Sequence, residues 1–262
     1  MKIGAQLYTV HNYTKNLSDF AETLKKVADI GYRYVQVSGT CEYTAEWLKE
    51  QLDKNGLVCT LTHTPYQKLA KNTEEQMKNH RIFGCNNIGI GGMDGLWDKG
   101  KTLDECYGKF KAEIPPVLEK LKSNGFYFMY HNHDLEFAKL ENDSEILLRR
   151  MAKDFPPEVL GFTLDVHWCQ RGGIDPSELI SELHGRVPCV HFKDYLIKRT
   201  AEDIRSPRFA AVGEGVLNFD RIIAACESSG TEYVFVEQDD CYGEDPFDCL
   251  KRSFENLKEM GL

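Results

Sequence analysis

Histidine, lysine and acidic residues follow several apolar runs of this sequence and are spaced two residues apart. The pairs are His131 and His133 in YHNHD, Asp165 and His167 in LDVHW, His191 and Lys193 in HFKD, and Glu237 and Asp239 in VEQDD. Because side chains alternate between the two faces of a strand, both members of a pair are predicted to project to one side. A buried group of acids and imidazoles costs free energy unless it is paired or holds a cation.

These residue types predict a metal site. Imidazole nitrogens and carboxylate oxygens are ligands for Mn²⁺, Zn²⁺, Co²⁺ and Mg²⁺, so we expect one divalent ion held by Asp165, His191 and Glu237. Any one of them alone is more often a satisfied polar group of a core, and only their joint pattern indicates a ligand set. The nine cysteines form no CxxC pair, which favours a mixed oxygen and nitrogen site over a structural zinc site.

Eight apolar, β-rich runs alternate with segments of helical period along the chain. The predicted strands are Ile3–Val10, Tyr34–Ser38, Val58–His63, Asn87–Gly91, Phe126–His133, Gly161–His167, Pro188–Lys193 and Tyr233–Gln238. Strict alternation requires right-handed crossovers and a parallel sheet, and eight units in 262 residues are the size of a closed (β/α)₈ TIM barrel. An open, doubly wound sheet is the rival fold, but no glycine-rich turn follows the first run. No linker divides the chain, so residues 1–262 are predicted to form a single TIM-barrel domain.

Composition narrows the classes of function. Hydrophobic residues make up 42% and charged residues 28% of the chain, which is typical of a soluble globular protein. A net charge of -9 argues against a nucleic-acid surface. Scattered cysteines indicate a reducing compartment, and no apolar run approaches about 18 residues. We therefore expect a cytoplasmic protein that binds neither nucleic acid nor membrane, and we leave homo-oligomerisation open.

The motifs YHNHDLEF, LDVHW, HFKD, VGEGVLNF and FVEQD resemble, in this order, those of the sugar phosphate isomerase/epimerase family of xylose isomerase-like TIM barrels. IGAQLYTV, GYRYVQVSG and THTP are similar more loosely. The resemblance implies a divalent metal ion held by an acid of strand five or its loop and by residues of strands six, seven and eight. The last three positions correspond to Asp165, His191 and Glu237.

Strand five departs from the pattern of the family. Many isomerases of the superfamily have a metal-binding glutamate inside this strand, whereas this chain has His131, Asn132 and His133. Inosose dehydratase, a relative, resembles this chain in having a histidine-rich strand five with its glutamate just downstream. We therefore expect Glu136 to be the fourth ligand, with His131 as its main competitor.

The resemblance implies a metal-dependent isomerase or epimerase that abstracts a proton next to a carbonyl of a small sugar, keto-sugar or sugar phosphate. His133 or Glu237 would be the base, Lys193 the stabilising cation and His167 an orienting group. The residues expected to contact the substrate are His63, His131 and Trp168.

Other functions stay open. Because strand five lacks the second glutamate, a metal-dependent dehydratase acting on a keto-polyol or keto-sugar is the alternative. An acidic chain favours an unphosphorylated substrate, although GGMDG and VGEGV could cradle a phosphate with backbone N–H groups. A nuclease and a non-catalytic sugar- or metal-binding protein are further classes, and the charge weighs against the nuclease.

Overall fold

Eight parallel strands close into a barrel in the computed structural model, which describes residues 1–201 and 204–262. The barrel strands are β1 (Lys2–Gln6), β2 (Tyr34–Val37), β3 (Val58–His63), β4 (Asn87–Ile90), β5 (Tyr127–His131), β6 (Leu160–Asp165), β7 (Cys189–Phe192) and β10 (Tyr233–Val236). Between the last two, β8 (Asp194–Lys198) and β9 (Ser206–Ala210) form a separate antiparallel hairpin. The barrel strands follow one another in chain order and β10 pairs with β1, so the predicted (β/α)₈ fold is confirmed.

Helices surround this barrel. They are α1 (Leu17–Ile30), α2 (Ala45–Asn55), α3 (Tyr66–Lys71), α4 (Thr73–Phe83), α5 (Leu103–Glu113), α6 (Pro115–Ser123), α7 (Leu147–Asp154), α8 (Val166–Arg171), α9 (Pro176–Glu182), α10 (Phe219–Ser228) and α11 (Pro246–Glu259), with 3₁₀ helices at Leu7–Tyr13 and Leu135–Phe137. The first residues of α9 show how the sequence starts a helix. The Asp175 carboxylate accepts the N–H of Ser177 at 2.9 Å, and Pro176 has no N–H that would need an acceptor. Within the described residues, no helix is both long and apolar enough to cross a bilayer.

An apolar layer fills the centre of the barrel and supports the polar residues above it. This layer consists of the fully buried Leu61, Met129, Cys189 and Phe235. Gly4 leaves room for Phe235, because a Cβ at that position would lie 2.6 Å from the ring. Two residues further along three of these strands stand His131, His191 and Glu237. The alternation of the strands therefore places these three side chains on the same interior face, at the C-terminal mouth of the barrel.

Seven of the eight predicted strands extend past an end of the observed strand, and the first, fifth, sixth and eighth do so by two to four residues at their C-terminal ends. The first ends at Gln6, where a 3₁₀ helix begins, and the fifth ends at His131. The sixth ends at Asp165, because the Asp165 side chain caps α8 by accepting the N–H of Trp168 at 3.1 Å. The prediction that His167 shares a strand face with Asp165 is thus wrong, since His167 lies in the first turn of a helix.

The hairpin after β7 was not predicted, and Asp194 at its start organises the VGEGV loop. Its carboxylate accepts the N–H groups of Gly213 at 3.0 Å, Gly215 at 2.9 Å and Leu217 at 3.2 Å. Gly215 is required here because a Cβ would lie 2.2 Å from Asp194 Oδ1. The amides that could have cradled a phosphate are therefore bound to a carboxylate of the same chain.

The Asp194 carboxylate is expected to contribute substantially to stability. In Asp194→Asn an NH₂ group replaces one oxygen and faces backbone donors, so the free energy of unfolding should fall by about 2–4 kcal/mol. Urea denaturation followed by circular dichroism measures this loss. Asp53→Asn is the matched control, because Asp53 pairs with Lys49 on an exposed helix face. This substitution should lower the free energy of unfolding by less than about 0.5 kcal/mol. Equal losses in the two variants would contradict the assignment.

Candidate active site

Four buried side chains from neighbouring barrel strands converge at the mouth of the barrel. They are His131 of β5, Asp165 of β6, His191 of β7 and Glu237, which directly follows β10. Each offers one nitrogen or oxygen, and these atoms lie within 4.8 Å of one another. His131 Nε2 is 3.5 Å from Asp165 Oδ2, and His191 Nδ1 is 2.9 Å from Glu237 Oε2. These are nitrogen and oxygen donors that could bind one divalent ion at about 2.0–2.2 Å each.

Unsatisfied polar atoms show that this group fits a cation. Among the described residues, His191 Nδ1 and both ring nitrogens of His131 are buried without a hydrogen-bond partner. Gln36 Oε1 accepts the Nε2–H of His191 at 2.6 Å, so Nδ1, the nitrogen left to bind a metal ion, faces the Glu237 carboxylate with its lone pair. Two electron-rich atoms in such contact repel each other unless a positive charge lies between them. The donor set therefore suits a divalent metal ion.

Glu136, the residue expected as fourth ligand, lies outside the group of four. Its fully buried carboxylate accepts the Tyr130 hydroxyl at 2.7 Å and the His133 N–H at 2.8 Å. Tyr130 projects from β5 away from the barrel interior, so its hydroxyl draws Glu136 to the helix side of the strand. Burial raises the pKa of Glu136 to about 7. His131, the competing candidate, occupies the position of strand five in the group.

Lys193 is the cation of the site. It is fully buried, and its Nζ lies 3.0 Å from Asp165 Oδ2, from Glu237 Oε2 and from Asp239 Oδ1. Burial opposes its charge, but these carboxylates outweigh burial and raise the pKa of Lys193. Three carboxylates and one ammonium leave two negative charges (3 − 1 = 2), which is the charge that a divalent cation balances.

His63 and His133 line the cavity beside the group of four. The His63 ring lies 4.9 Å from that of His131 and 5.6 Å from that of His191, while the His133 ring is 4.7 Å from His131. Burial is the main reason why the pKa of both imidazoles is lowered, and the neighbouring His131 is the second reason. The pKa of His133 falls to about 3. Both rings are therefore neutral near pH 7, and each offers one N–H and one lone pair.

His167 and Trp168 lie behind the group of four, in the first turn of α8. The His167 ring packs against Trp168, Tyr195 and Phe209 at centroid distances of 4.8, 4.9 and 4.9 Å. Burial lowers the pKa of His167 to about 4. The Trp168 ring lies 5.3 Å from Lys193 Nζ and so helps to hold the ammonium in place. Direct contact of His167 or Trp168 with substrate stays a prediction.

A cavity of about 630 Å³ opens above the group of four. Its inner end is lined by His131, His133, Lys193, Glu237 and Asp239, and its outer part by Tyr8, Tyr66, Asp94 and Trp97. Burial raises the pKa of Asp239 to about 6. No arginine lines the cavity within the described residues, and its buried lysine already contacts three carboxylates. The cavity is therefore polar and acidic at one end and aromatic at the other.

Sequence reasoning assigned no site role to Gln36 or Trp97 and named Asp239 as the residue paired with Glu237 by its spacing. Gln36 could have been noticed as a lone polar residue inside the apolar run YVQV, where its side chain must point into the barrel. Trp97 follows a glycine-rich segment of no regular period, so its place at the cavity depends on the folded loop.

Comparisons with known proteins agree with this geometry. Residues 24–260 match the family model of the xylose isomerase-like TIM barrel. The chain belongs to this family. Inosose dehydratase from Lacticaseibacillus casei is 21% identical over 250 residues, which cover 83% of this chain and 81% of that protein.

Solved structures of the family share the fold. A sugar phosphate isomerase/epimerase from Parabacteroides distasonis has a TM-score of 0.77 at 21% identity, covering 98% of this chain and 93% of that one. An L-ribulose 3-epimerase has a TM-score of 0.75 at 14% identity, covering 99% and 94%. The family resemblance predicted from the motifs is confirmed. Its enzymes include epimerases and dehydratases, so the family does not by itself specify the reaction.

Lys193 and a metal ion are expected to compete, because the ammonium contacts the same Asp165 and Glu237 oxygens that face the histidines. Lys193→Met should therefore bind Mn²⁺ about tenfold more tightly than the wild type, since one positive charge is removed nearby. Asp239→Asn should bind it more weakly, because Lys193 then pairs only with Asp165 and Glu237. Titration calorimetry of chelator-treated protein with Mn²⁺ measures both. Weaker binding by Lys193→Met would contradict the competition.

Glu136 should make stability depend on pH. Its pKa is about 7 in the folded protein against a model-peptide value of 4.5, so the folded carboxyl keeps a proton that the unfolded chain releases. Stability is therefore lost as pH rises from 4.5 to 7, by up to about 3 kcal/mol. Glu136→Gln escapes this loss, so its stability relative to the wild type should rise between pH 5 and 8 in urea denaturation.

The exposed Glu119 provides the control for this experiment, because its side chain meets water in both the folded and the unfolded state. Glu119→Gln should keep a constant stability difference from the wild type over the same pH range. A constant difference for Glu136→Gln as well would show that the Glu136 carboxyl is ionised alike in both states.

Proposed function

We propose that this protein uses one divalent metal ion to abstract a proton next to the carbonyl of a small, neutral polyhydroxylated ketone, and that loss of water follows. The observation that carries the proposal is that Glu237 and His131 both line the inner end of the cavity. Asp165 and His191 lie beneath them, and Glu136 is bound on the helix side of β5. Epimerisation requires proton exchange on two faces of one carbon, and an acid opposite Glu237 is missing from the group of four.

A divalent ion held by His131, Asp165, His191 and Glu237 would polarise the carbonyl and lower the pKa of the adjacent C–H group. Because that proton becomes acidic, the base that removes it does not need a high pKa of its own. Burial would raise the pKa of Glu237, but the Lys193 ammonium outweighs burial and lowers it, so the carboxylate is ionised and can accept a proton.

Neighbouring groups support the transfer. The Lys193 ammonium, 3.0 Å from Glu237 Oε2, stabilises negative charge that develops on the substrate oxygen. The neutral His133 imidazole can hydrogen-bond to a substrate hydroxyl from the cavity wall. As the C–H bond breaks, its proton goes to Glu237 and its electron pair forms a C=C bond. The C–O bond on the next carbon breaks, and its hydroxyl leaves as water with the proton that Glu237 accepted, which restores the carboxylate, so neither oxidant nor reductant is required.

The charge of the cavity supports a neutral substrate. Glu237, Asp239 and Asp94 contribute acids to its lining, while its described residues offer no arginine to bind a phosphate bidentately. The amides of the VGEGV loop are already bound to Asp194. A relative at 21% identity is named for a dehydration, as inosose dehydratase.

Isomerisation or epimerisation of a keto-sugar is the second candidate. It is favoured by the imidazoles of His131 and His133, which could accept or return a proton on the side of the cavity away from Glu237. An L-ribulose 3-epimerase shares the fold. The first step, proton abstraction next to a carbonyl, is the same in both candidates.

Incubation in D₂O separates the two reactions. Mn²⁺-loaded protein is mixed with unphosphorylated keto-sugars and keto-inositols, and the products are analysed by mass spectrometry. Elimination yields a product lighter by one water molecule, whereas isomerisation yields a product of the same composition that has gained deuterium. Glu237→Gln should slow either reaction by about 100-fold or more, because it removes the base.

Glu259→Gln, on the exposed end of α11, is the matched control and should retain wild-type turnover. Wild-type turnover in Glu237→Gln would refute the role of Glu237. Full activity in chelator-treated protein would refute the role of the metal ion.

A further inference from the structure

The cavity is larger than one sugar ring needs, and its outer part is aromatic. Its volume of about 630 Å³ falls in the middle of the range of about 300–1,000 Å³ that encloses drug-sized ligands. His131 and Glu237 occupy its inner end, where the reacting carbon must lie. Space therefore remains between the reacting group and the outer rim, and the rings of Tyr8, Tyr66 and Trp97 line it.

Trp97 is held in an open position by its neighbours. Its side chain is 59% exposed in the loop between β4 and α5, yet the ring contacts Gly92, where a Cβ would lie 2.4 Å from Cη2. The His133 ring meets it edge-on at 5.1 Å and an interplanar angle of 90°. The indole is therefore supported from below and from the side while part of its surface remains available to a ligand.

Tyr8 has a similar arrangement on another side of the mouth. It lies in the 3₁₀ helix after β1, is 39% exposed, and contacts Gly39, where a Cβ would lie 2.7 Å from Cδ2. The ring stacks on His11 at 4.6 Å. Two strands, β2 and β3, separate β1 from β4 in the barrel, so Tyr8 and Trp97 border the same cavity from different sides.

The outer part of the cavity also contains little free charge. Asp94 is its acid, and that carboxylate forms an ion pair with Lys109 at 2.6 Å. Aromatic rings without a free charge favour a flat, apolar surface such as the C–H face of a sugar or an aryl ring. A phosphate or carboxylate group would find no free cation among the described lining residues.

We propose that this aromatic outer part binds a second, uncharged ring that is attached to the reacting polyol, so that the substrate is a glycoside rather than a free monosaccharide. The inference rests on the proposed function only in assigning the reacting end to Glu237. A sugar ring and an aryl ring share the surface chemistry that Trp97 recognises. Trp97 is the residue that selects for the second ring.

Binding of stable glycosides tests this proposal without turnover. The probes are the methyl and 4-nitrophenyl α- and β-glycosides of glucose and galactose, together with cellobiose and lactose, each titrated into Mn²⁺-loaded protein by calorimetry. At least one two-ring probe should bind about tenfold more tightly than its methyl glycoside. Preference for the nitrophenyl glycosides would indicate an aryl ring, and preference for the disaccharides a second sugar.

Variants of Trp97 decide whether the advantage comes from this ring. Trp97→Ala should abolish it and leave binding of the methyl glycoside unchanged, whereas Trp97→Tyr should retain most of it. An unchanged melting temperature shows that the exposed position tolerates the substitution. Binding of no two-ring probe, or an advantage that persists in Trp97→Ala, would overturn the proposal. Because no reaction is measured, either result is independent of whether the protein is a dehydratase.

Discussion

Two buried carboxylates at the mouth of the barrel, Asp165 and Glu237, impose the constraint on which the site depends. Both are almost inaccessible to water, and in this environment an unbalanced negative charge is costly. Lys193 lies between them and supplies one positive charge, but Asp239 shares it. The remaining negative charge and the unsatisfied nitrogens of His131 and His191 together could hold a divalent cation. The electrostatics of the folded chain thus agree with what the donor types suggest.

The barrel supports this concentration of buried charge. Below the group of four, the apolar side chains of Met129, Cys189 and Phe235 close the barrel. Two residues further along the chain from each of them stand His131, His191 and Glu237. Parallel strands all end at the same face, so four separate segments deliver one ligand each without any long loop. The rigidity of the sheet then holds the donor atoms within 4.8 Å of one another.

Family membership and local geometry answer different questions about this protein. Relatives near 20% identity share the fold, and they include an inosose dehydratase and an L-ribulose 3-epimerase. The chemistry must therefore be inferred from this chain's own residues. Here an imidazole, His131, stands where a second acid would serve proton exchange, and the nearby acid Glu136 is engaged with Tyr130. An acidic inner cavity and an aromatic rim favour the uncharged substrate that we propose.

The sequence alone determined the barrel and most of the group of four, because both depend on short-range periodicity. Alternation over two residues specifies which strand residues face inward, and it selected Asp165, His191 and Glu237 correctly for convergence. Residues beyond the strand ends escaped this rule. Whether Glu136 or His131 joins the group is decided by a hydrogen bond to Tyr130, and His167 leaves the strand face because Asp165 caps a helix. Only tertiary structure decides such cases, since the course of the chain after β5 and β6 determines which side chains meet, and no local pattern encodes that course.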